Sequence, residues 1–189
     1  AAACGVRRFI FLSTIGVNGS ETQSVPFGPE SPIIPNSPYA VSKWEAEQGL
    51  REIAVSTGME IVIVRPPLVY GPSAPGNFSS LAAAIRRGIP LPLGGLSNLR
   101  SFVAVDNLVA LLSLCVSHPA AAGNVFYVCG EEDVSTSEFI RRVACSSSGR
   151  VAAFDCRVGG AERTSCQGRG IAAGGPIVLQ KTARLETCR

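Results

Sequence analysis

The chain has 189 residues, 46% of them hydrophobic and 16% charged, and a formal net charge of +3. These values suit one globular domain with a real core, and so small a charge argues against a nucleic-acid-binding surface. Apolar runs such as LVALLSLCV fall well short of the roughly 18 residues that a membrane span needs. The N-terminal AAACGVRRF lacks the long apolar segment of a signal peptide. We therefore expect a cytoplasmic protein with no membrane or nucleic-acid partner.

Cysteine and histidine usage argues against a metal site. The seven cysteines form no C-x-x-C pair, and His118 is the single histidine, so the spacing typical of zinc sites is absent from the sequence. Cys4, Cys115 and Cys129 lie in apolar stretches, and we predict that they are reduced core thiols. The other four cysteines all fall after residue 144.

The first part of the chain is typical of a strand, a loop and a helix. RRFIFLS is an apolar run of strand length that ends at Ser13, and it predicts a buried parallel strand. A loop rich in Ser, Gly and Pro follows. Ser37 is suited to a helix N-cap and Pro38 to the first helical position. The helix is predicted to reach Thr57 and to stop at Gly58.

The middle of the chain continues this alternation. MEIVIVRPP predicts a second buried strand, and the loop LVYGPSAPGN leads into a helix over residues 78–87. SFVAV predicts a strand, DNLVALLSLCV a helix opened by Asp106, and NVFYVCG another strand. STSEFIRRVA begins with Ser135 three residues before Glu138, a capping box. Alternating strands and helices indicate an α/β fold with a parallel sheet.

The sequence changes character after Ala144. Residues 145–189 are rich in Gly, Arg, Ser and Cys and show no sustained helical or strand period beyond the short PIVLQ run. We therefore divide the chain into a domain over residues 1–144 and an atypical tail over residues 145–189. The tail is predicted to be disordered, and our hypothesis is that it is out-of-frame or foreign sequence.

One helical pair has the chemistry of a proton-transfer site. Tyr39 and Lys43 are four residues apart, so they share a face of the predicted helix. An ammonium stabilises a nearby phenolate, and such a pair can move a proton to or from a substrate oxygen. Taken alone, the pair is more readily explained as a chance spacing than as an active site. Ser13 and Thr14 strengthen the functional interpretation, because they follow a strand whose carboxyl end is where open α/β sheets bind ligands.

Six segments in a fixed order resemble a known family. FIFLSTIGVNG, SPYAVSKWEAE, VIVRPPLVYGP, GNFSSL, LRSFVAVDNL and GNVFYVCG cover roughly residues 5–144. In type, order and spacing they resemble the extended short-chain dehydrogenase/reductase family, in its nucleotide-sugar epimerase/dehydratase branch. The resemblance implies an α/β fold that is the C-terminal part of a Rossmann-like parallel sheet with helices, plus part of the substrate-binding region.

The resemblance also implies catalytic roles. Tyr39 matches the family's proton-transfer residue beside the nicotinamide of NAD or NADP. Lys43 matches the lysine that binds the nicotinamide ribose and stabilises the tyrosinate. Thr14 matches the serine or threonine that contacts the substrate sugar, although it could simply cap its strand.

Further positions match cofactor and substrate contacts by the same resemblance. Pro66 is expected to pack near the nicotinamide. Asn77 heads a helix that meets the nucleotide-sugar, and it is equally suited to be an N-cap. Arg100 matches an arginine that holds the diphosphate, with a solvated arginine as the alternative. Asp106 is interpreted as a helix cap rather than a ligand contact.

The sequence also departs from the family pattern. No G-x-x-G-x-x-G motif precedes Thr14, so the Gly-rich turn that would receive the cofactor pyrophosphate is not among these residues. We expect the 189 residues alone to bind NAD(P) very weakly and to be inactive. Leu68 stands where many members have Asn, and Ala104 stands where many have His.

The expected activity is 4-epimerisation of a nucleotide-sugar. The segments resemble a subgroup acting on UDP-N-acetylhexosamines or their 4-keto-6-deoxy derivatives in surface polysaccharide synthesis. A nucleotide-sugar 4-ketoreductase and a non-enzymatic remnant or pseudoenzyme remain as alternatives. The resemblance further implies a homodimer through the helix that carries Tyr39.

Overall fold

A computed structural model describes residues 1–22, 25–71, 98–130, 133–147 and 178–181, together with residues 80, 83, 84 and 87. It contains strands and helices in alternation, as the sequence predicts. The strands are β1 (Arg8–Leu12), β2 (Glu60–Arg65), β3 (Leu68–Tyr70), β4 (Leu99–Arg100), β5 (Phe102–Ala104), β6 (Val125–Cys129), β7 (Val134–Ser135) and β8 (Val178–Lys181). The helices are α1 (Pro38–Thr57), α2 (Val105–Ser117) and α3 (Thr136–Ser147), and 3₁₀ turns span Ala2–Cys4, Ile15–Val17 and Pro119–Ala121.

The main sheet has the strand order β1-β2-β6-β8. β1, β2 and β6 are parallel, and β8 joins the β6 edge in the antiparallel direction. The prediction of an α/β fold with a parallel sheet is therefore confirmed. Two small sheets complete the described part, a parallel pair of β3 and β5 and an antiparallel pair of β4 and β7.

β2 is covered on both faces, which explains its continuous apolar sequence. Successive side chains of a strand point to opposite faces. Val62 and Val64 pack with the buried residues of α2, whereas Ile61 and Ile63 pack against the α1 side. Each face therefore carries its own apolar cluster, and the sheet lies between α1 and α2. A smaller cluster under α3 includes Phe102 stacked on Phe139, with ring centroids 3.9 Å apart.

Helix α1 begins and ends where its sequence predicts. The Ser37 hydroxyl accepts a hydrogen bond from the Ala40 N–H at 3.2 Å, and Pro38 is the first helical residue. Gly58 closes the helix in the left-handed conformation, with φ of 72°, that glycine adopts without strain. These local signals place Tyr39 and Lys43 in the first two turns.

Three expectations are corrected by the structure. Residues 68–70, predicted as loop, form β3, because Leu68–Tyr70 pair in parallel with β5. Asp106 does not cap α2: Ala104 is the N-cap, without a side-chain cap bond, and Asp106 lies in the first turn, where its charge still suits the helix dipole. Cys4 is exposed rather than in the core, since it lies in the N-terminal 3₁₀ turn, whereas Cys115 is buried as predicted.

Other expectations concern residues that the structure describes only in part. Of the predicted helix over residues 78–87, the structure describes only residues 80, 83, 84 and 87; the first three are helical, and the Arg87 N–H donates to the Ala83 carbonyl at 3.1 Å. Most of residues 145–189 lie outside the described residues. In the tail, Val178–Lys181 form β8, and this strand overlaps the PIVLQ run. The division of the chain at residue 144 stays a prediction. Among the helices that are described, none has both the length and the apolar character required to traverse a membrane.

Candidate active site

The predicted Tyr39–Lys43 pair lies at the carboxyl end of β1. The Lys43 Nζ donates a hydrogen bond to the Leu12 carbonyl at 3.0 Å, and it also lies 4.8 Å from the centroid of the Phe11 ring. The same nitrogen is 5.8 Å from the centroid of the Tyr39 ring. Tyr39 itself is 61% exposed. The ammonium is therefore held near the ring of an exposed tyrosine.

Thr14 is brought to the same end of the sheet by the strand-to-turn connection after β1. The flanking backbone is anchored to β2 and its extension, because the Ser13 N–H donates to the Val64 carbonyl at 2.8 Å and the Ile15 N–H to the Pro66 carbonyl at 3.0 Å. The Thr14 Oγ1 accepts from the Gly16 N–H at 3.2 Å. Thr14 thus caps a 3₁₀ turn rather than its strand.

This turn packs against the first turn of α1. A Cβ placed on Gly16 would lie 3.5 Å from the Thr14 Oγ1 and 3.8 Å from the Ala40 Cβ. Since Ala40 is the neighbour of Tyr39, the hydroxyl of Thr14 and the start of α1 meet across Gly16. The structure therefore places Thr14, Tyr39 and Lys43 at one rim, where the strand ends of an open α/β sheet bind ligands.

Directly beneath this rim is a buried polar cluster that sequence analysis missed. Its centre is an ion pair between Glu47 of α1 and Arg65 of β2, whose side chains are 0% and 3% exposed. The Arg65 Nε donates to the Glu47 Oε1 at 3.0 Å and its Nη2 to the Oε2 at 2.6 Å. The Ser13 hydroxyl donates to the Glu47 Oε1 at 2.6 Å. We call Ser13, Asn18, Glu47, Arg65 and Tyr127 the buried cluster.

Two other members of the buried cluster accept hydrogen bonds from the remaining guanidinium nitrogen, Nη1. The Arg65 Nη1 donates to the Asn18 Oδ1 at 3.1 Å and to the Tyr127 hydroxyl at 2.6 Å. Asn18 in turn donates to the carbonyls of Ser31 and Pro32, both at 3.2 Å, in the loop that leads to α1. Among the described residues, no buried side-chain nitrogen or oxygen lacks a partner. The cluster therefore joins β1, β2, β6, this loop and α1.

The charge of Arg65 is stabilised although the side chain is buried. Burial by itself lowers the pKa of Arg65, but the hydrogen bonds and charge of Glu47, with a contribution from Tyr127, outweigh burial and raise the pKa above its ordinary value. The aromatic ring of Trp44 lies 5.8 Å from the Arg65 guanidinium carbon and 5.5 Å from that of Arg51. Trp44 thus packs beside the guanidinium groups of this cluster.

The sequence did contain two signals for the cluster. Glu47 follows Lys43 by one helical turn on the same helix, and Arg65 follows four apolar, buried residues, Ile61–Val64, in a strand that is covered on both faces. A charged residue in such a strand requires a buried partner. The identity of that partner could not be read from the sequence, because the two residues are far apart in the chain.

Among the remaining predicted site residues that the structure describes, only Pro66 lies at the rim. Pro66 is buried directly after β2, and its carbonyl accepts the Ile15 N–H, so it belongs to the rim. Arg100 is exposed on β4 and pairs with Val134 of β7; no described contact joins it to Tyr39, Lys43 or Thr14. Asn77 lies outside the described residues. Within the described part of the chain, no three His, Cys, Asp or Glu side chains are close enough to hold a metal ion.

Fold and rim together define an α/β protein of Rossmann-like type with a tyrosine, a lysine and a threonine at the strand ends. A family model described as the NAD dependent epimerase/dehydratase family matches residues 1–130, and the chain belongs to this family. The resemblance to the nucleotide-sugar branch of the extended short-chain dehydrogenase/reductases is thereby confirmed.

Individual relatives agree with this assignment. The chain is similar to a UDP-glucose 4-epimerase of Vibrio cholerae, with 47% identity over 142 residues that cover 74% of this chain and 43% of the relative. A solved structure of Thermus thermophilus UDP-glucose 4-epimerase in complex with NAD matches with 26% identity and a TM-score of 0.67, covering 77% of this chain and 50% of that one.

A second solved structure carries both a nucleotide-sugar and NAD. It is the UDP-glucuronic acid 4-epimerase of Bacillus cereus in complex with UDP-glucuronic acid and NAD, with 26% identity and a TM-score of 0.65, covering 74% of this chain and 45% of that one. The present chain thus spans about half the length of the relatives it matches.

Proposed function

We propose that this chain contributes the proton-transfer part of a nucleotide-sugar 4-epimerase that uses NAD or NADP and acts in the cytoplasm. The observation that carries the proposal is that Thr14 lies in the turn after β1, next to the start of α1, and that Lys43, one helical turn after Tyr39, bonds the end of β1, in a chain of this family. Relatives that match it include UDP-sugar 4-epimerases. The same three groups would also serve a 4-ketoreductase.

In the proposed reaction, Tyr39 accepts the proton of the sugar C4 hydroxyl and later returns it. Thr14 donates or accepts a hydrogen bond at the same substrate oxygen and orients it. Lys43 stabilises the phenolate of Tyr39 electrostatically while the proton is transferred. A nicotinamide cofactor held beside Tyr39 and Lys43 would supply the reversible hydride transfer at C4 that epimerisation needs.

The residues present fit the nicotinamide end of such a cofactor. An ammonium has three N–H donors, and Lys43 directs one to the Leu12 carbonyl, which leaves capacity for ribose hydroxyls. Tyr39 is exposed beside it, and Pro66 follows β2 next to the turn that carries Thr14, since its carbonyl accepts the Ile15 N–H. The Gly-rich turn that would hold the pyrophosphate is not among the 189 residues. We therefore propose that the 189 residues alone bind NAD(P) very weakly and do not turn over substrate.

Titration calorimetry tests the binding part of the proposal. Adding NAD, NADH, NADP or NADPH to the 189-residue chain is expected to give no saturable heat. A dissociation constant in the low micromolar range would contradict it.

A fusion protein tests the catalytic part. The residues that precede the matched segment in the Vibrio cholerae relative would be joined to the N-terminus of this chain, and the fusion would be assayed with UDP-glucose and UDP-N-acetylglucosamine. We expect 4-epimerisation without net consumption of NAD. Net consumption of reduced cofactor with a 4-keto sugar would instead favour the ketoreductase, and a folded fusion without either activity would favour the remnant.

Matched variants assign the reaction to the named residues. Tyr39→Phe and Lys43→Met are expected to lower kcat of the fusion by about 100-fold or more. Tyr70→Phe and Lys181→Met are the controls, since Tyr70 packs edge-on against Phe139 and Lys181 lies in β8. Equal losses in a variant and its control would contradict the assignment.

A further inference from the structure

We propose that Glu47 is a positioning residue that aligns Thr14 with Tyr39 and Lys43 by holding Ser13 through a buried hydrogen bond. The proposal rests on the proposed function only in naming Thr14, Tyr39 and Lys43 as the reacting groups. Its geometric part, the alignment of the turn after β1 with α1, stands on contacts within the described residues.

Helix α1 and the end of β1 are joined at two successive points. Lys43 meets the carbonyl of Leu12, and Glu47, one helical turn further on, meets the hydroxyl of the next residue, Ser13. Two contacts between a helix and a strand end fix both their separation and their register. Since Thr14 follows Ser13 directly, and Tyr39 precedes Lys43 by one turn, these contacts determine how the reacting groups face one another.

The carboxylate of Glu47 is itself held rigidly. Arg65 binds both of its oxygens, and the other side of the guanidinium is bound by Asn18 and Tyr127. A two-oxygen contact with a planar guanidinium specifies orientation as well as distance. Glu47 therefore presents the Oε1 to Ser13 in one orientation. Contacts with Arg65 of β2, and through it with Tyr127 of β6, set this orientation.

Variants of Ser13 distinguish a positioning role of Glu47 from a general contribution of the buried cluster to stability. Ser13→Ala removes the hydroxyl link but leaves the Glu47–Arg65 ion pair and the backbone bond from Ser13 to Val64 in place. Ser13→Cys keeps a side chain of similar size with a weaker donor, and it also serves if the alanine variant does not fold. Glu52→Gln, an exposed acid of the same helix, is the matched control.

The experiment uses NMR of the 189-residue chain, which requires no activity. For wild type we expect single, sharp signals from the Thr14 methyl group and the Gly16 amide, and slow hydrogen exchange at the Ile15 amide. In Ser13→Ala, exchange at Ile15 should rise about tenfold or more, with broadened or doubled Thr14 signals, because a hydrogen bond to a charged group is lost. Ser13→Cys should be intermediate, and exchange within β2 should not change.

The fusion protein provides the kinetic readout. Ser13→Ala is expected to lower kcat about tenfold or more with KM within about twofold, because substrate binding is retained while the reacting groups are misaligned. Wild-type signals at Thr14, Ile15 and Gly16 in both Ser13 variants, or equal effects from Glu52→Gln, would overturn the proposal. An inactive fusion refutes the proposed function alone, since the NMR result decides the positioning role by itself.

Discussion

The two ends of the β1–β2 strand pair carry the same kind of charge chemistry in opposite surroundings. At the amino end, Glu60 pairs with Arg7 at 3.3 Å and with Arg8 at 2.7 Å, and its side chain is 24% exposed. At the carboxyl end, Glu47 and Arg65 are almost fully enclosed. Water and ions screen the Arg7–Glu60 pair, in which Arg7 is 85% exposed, and the Arg8–Glu60 pair is only partly buried; the enclosed Glu47–Arg65 pair is instead held in one geometry.

The two arginines also serve different elements. The Arg8 Nη1 donates to the carbonyls of Cys115, Val116 and His118 at 2.8, 3.1 and 2.9 Å, so it caps the C-terminus of α2, where positive charge is favoured. Arg65 instead donates hydrogen bonds to side chains from three separate parts of the chain, those of Asn18, Glu47 and Tyr127. The comparison indicates that the amino end stabilises one helix locally, while the carboxyl end fixes the rim at which Thr14 lies.

The largest effect is expected at the carboxyl end. Arg65→Met should lower the free energy of unfolding by about 3–5 kcal/mol, because Glu47 would keep a buried charge and, among the described residues, only the longer ionic contact to the half-exposed Arg51, at 3.6 Å. Urea unfolding followed by the fluorescence of Trp44, the single tryptophan, measures this next to the cluster. A loss below about 1 kcal/mol would show that the pair behaves like an exposed one.

The double variant Glu47→Leu with Arg65→Met sharpens this result. It is expected to recover the larger part of the lost stability, because no charge remains buried. The Thr14 signals should nevertheless stay perturbed, since Ser13 has lost its acceptor. If both the stability and the wild-type Thr14 signals recovered, the buried cluster would have no positioning role.

A smaller effect is expected at the amino end. Arg8→Met should cost about 1–3 kcal/mol, because the last carbonyls of α2 lose their donor. Denaturant unfolding measures the loss, and Arg7→Met is the control, since Arg7 is 85% exposed and makes no such cap. Thr14 signals should be unchanged in both variants. A loss for Arg7→Met as large as that for Arg8→Met would contradict the capping role.

The smallest effect is expected for Glu60→Gln, and it depends on pH. The hydrogen bond from Arg8, with the charges of Arg7 and Arg8, holds the pKa of Glu60 below its ordinary value of 4.5 against the opposing effect of desolvation. A carboxyl whose pKa is lowered on folding stabilises the protein above that ordinary value and loses this contribution as the pH falls through the folded pKa. The stability difference between wild type and Glu60→Gln should be present at pH 7 and disappear on acidification. A difference that persists unchanged at pH 2 would contradict the ion pair.

Much of the fold was predictable because its signals are local. Ser37, Pro38 and Gly58 mark both ends of α1, and the apolar run that includes β2 indicates a strand covered on both faces. β3 was missed because a three-residue strand has no periodicity of its own, and only its pairing with β5 defines it. Asp106 was predicted to be the N-cap of α2 because an acidic residue at the start of a helix suits both the N-cap and a first-turn position.

The sequence by itself determined the α/β class, the helix that carries Tyr39 and Lys43, and the presence of Thr14 after a strand. These follow from periodicity, capping and motif order, which are properties of neighbouring residues. The buried cluster was decided only by the tertiary structure. Glu47, Arg65 and Tyr127 are distant in the chain, and the geometry that makes a buried charge tolerable exists only when the three elements that carry them pack together.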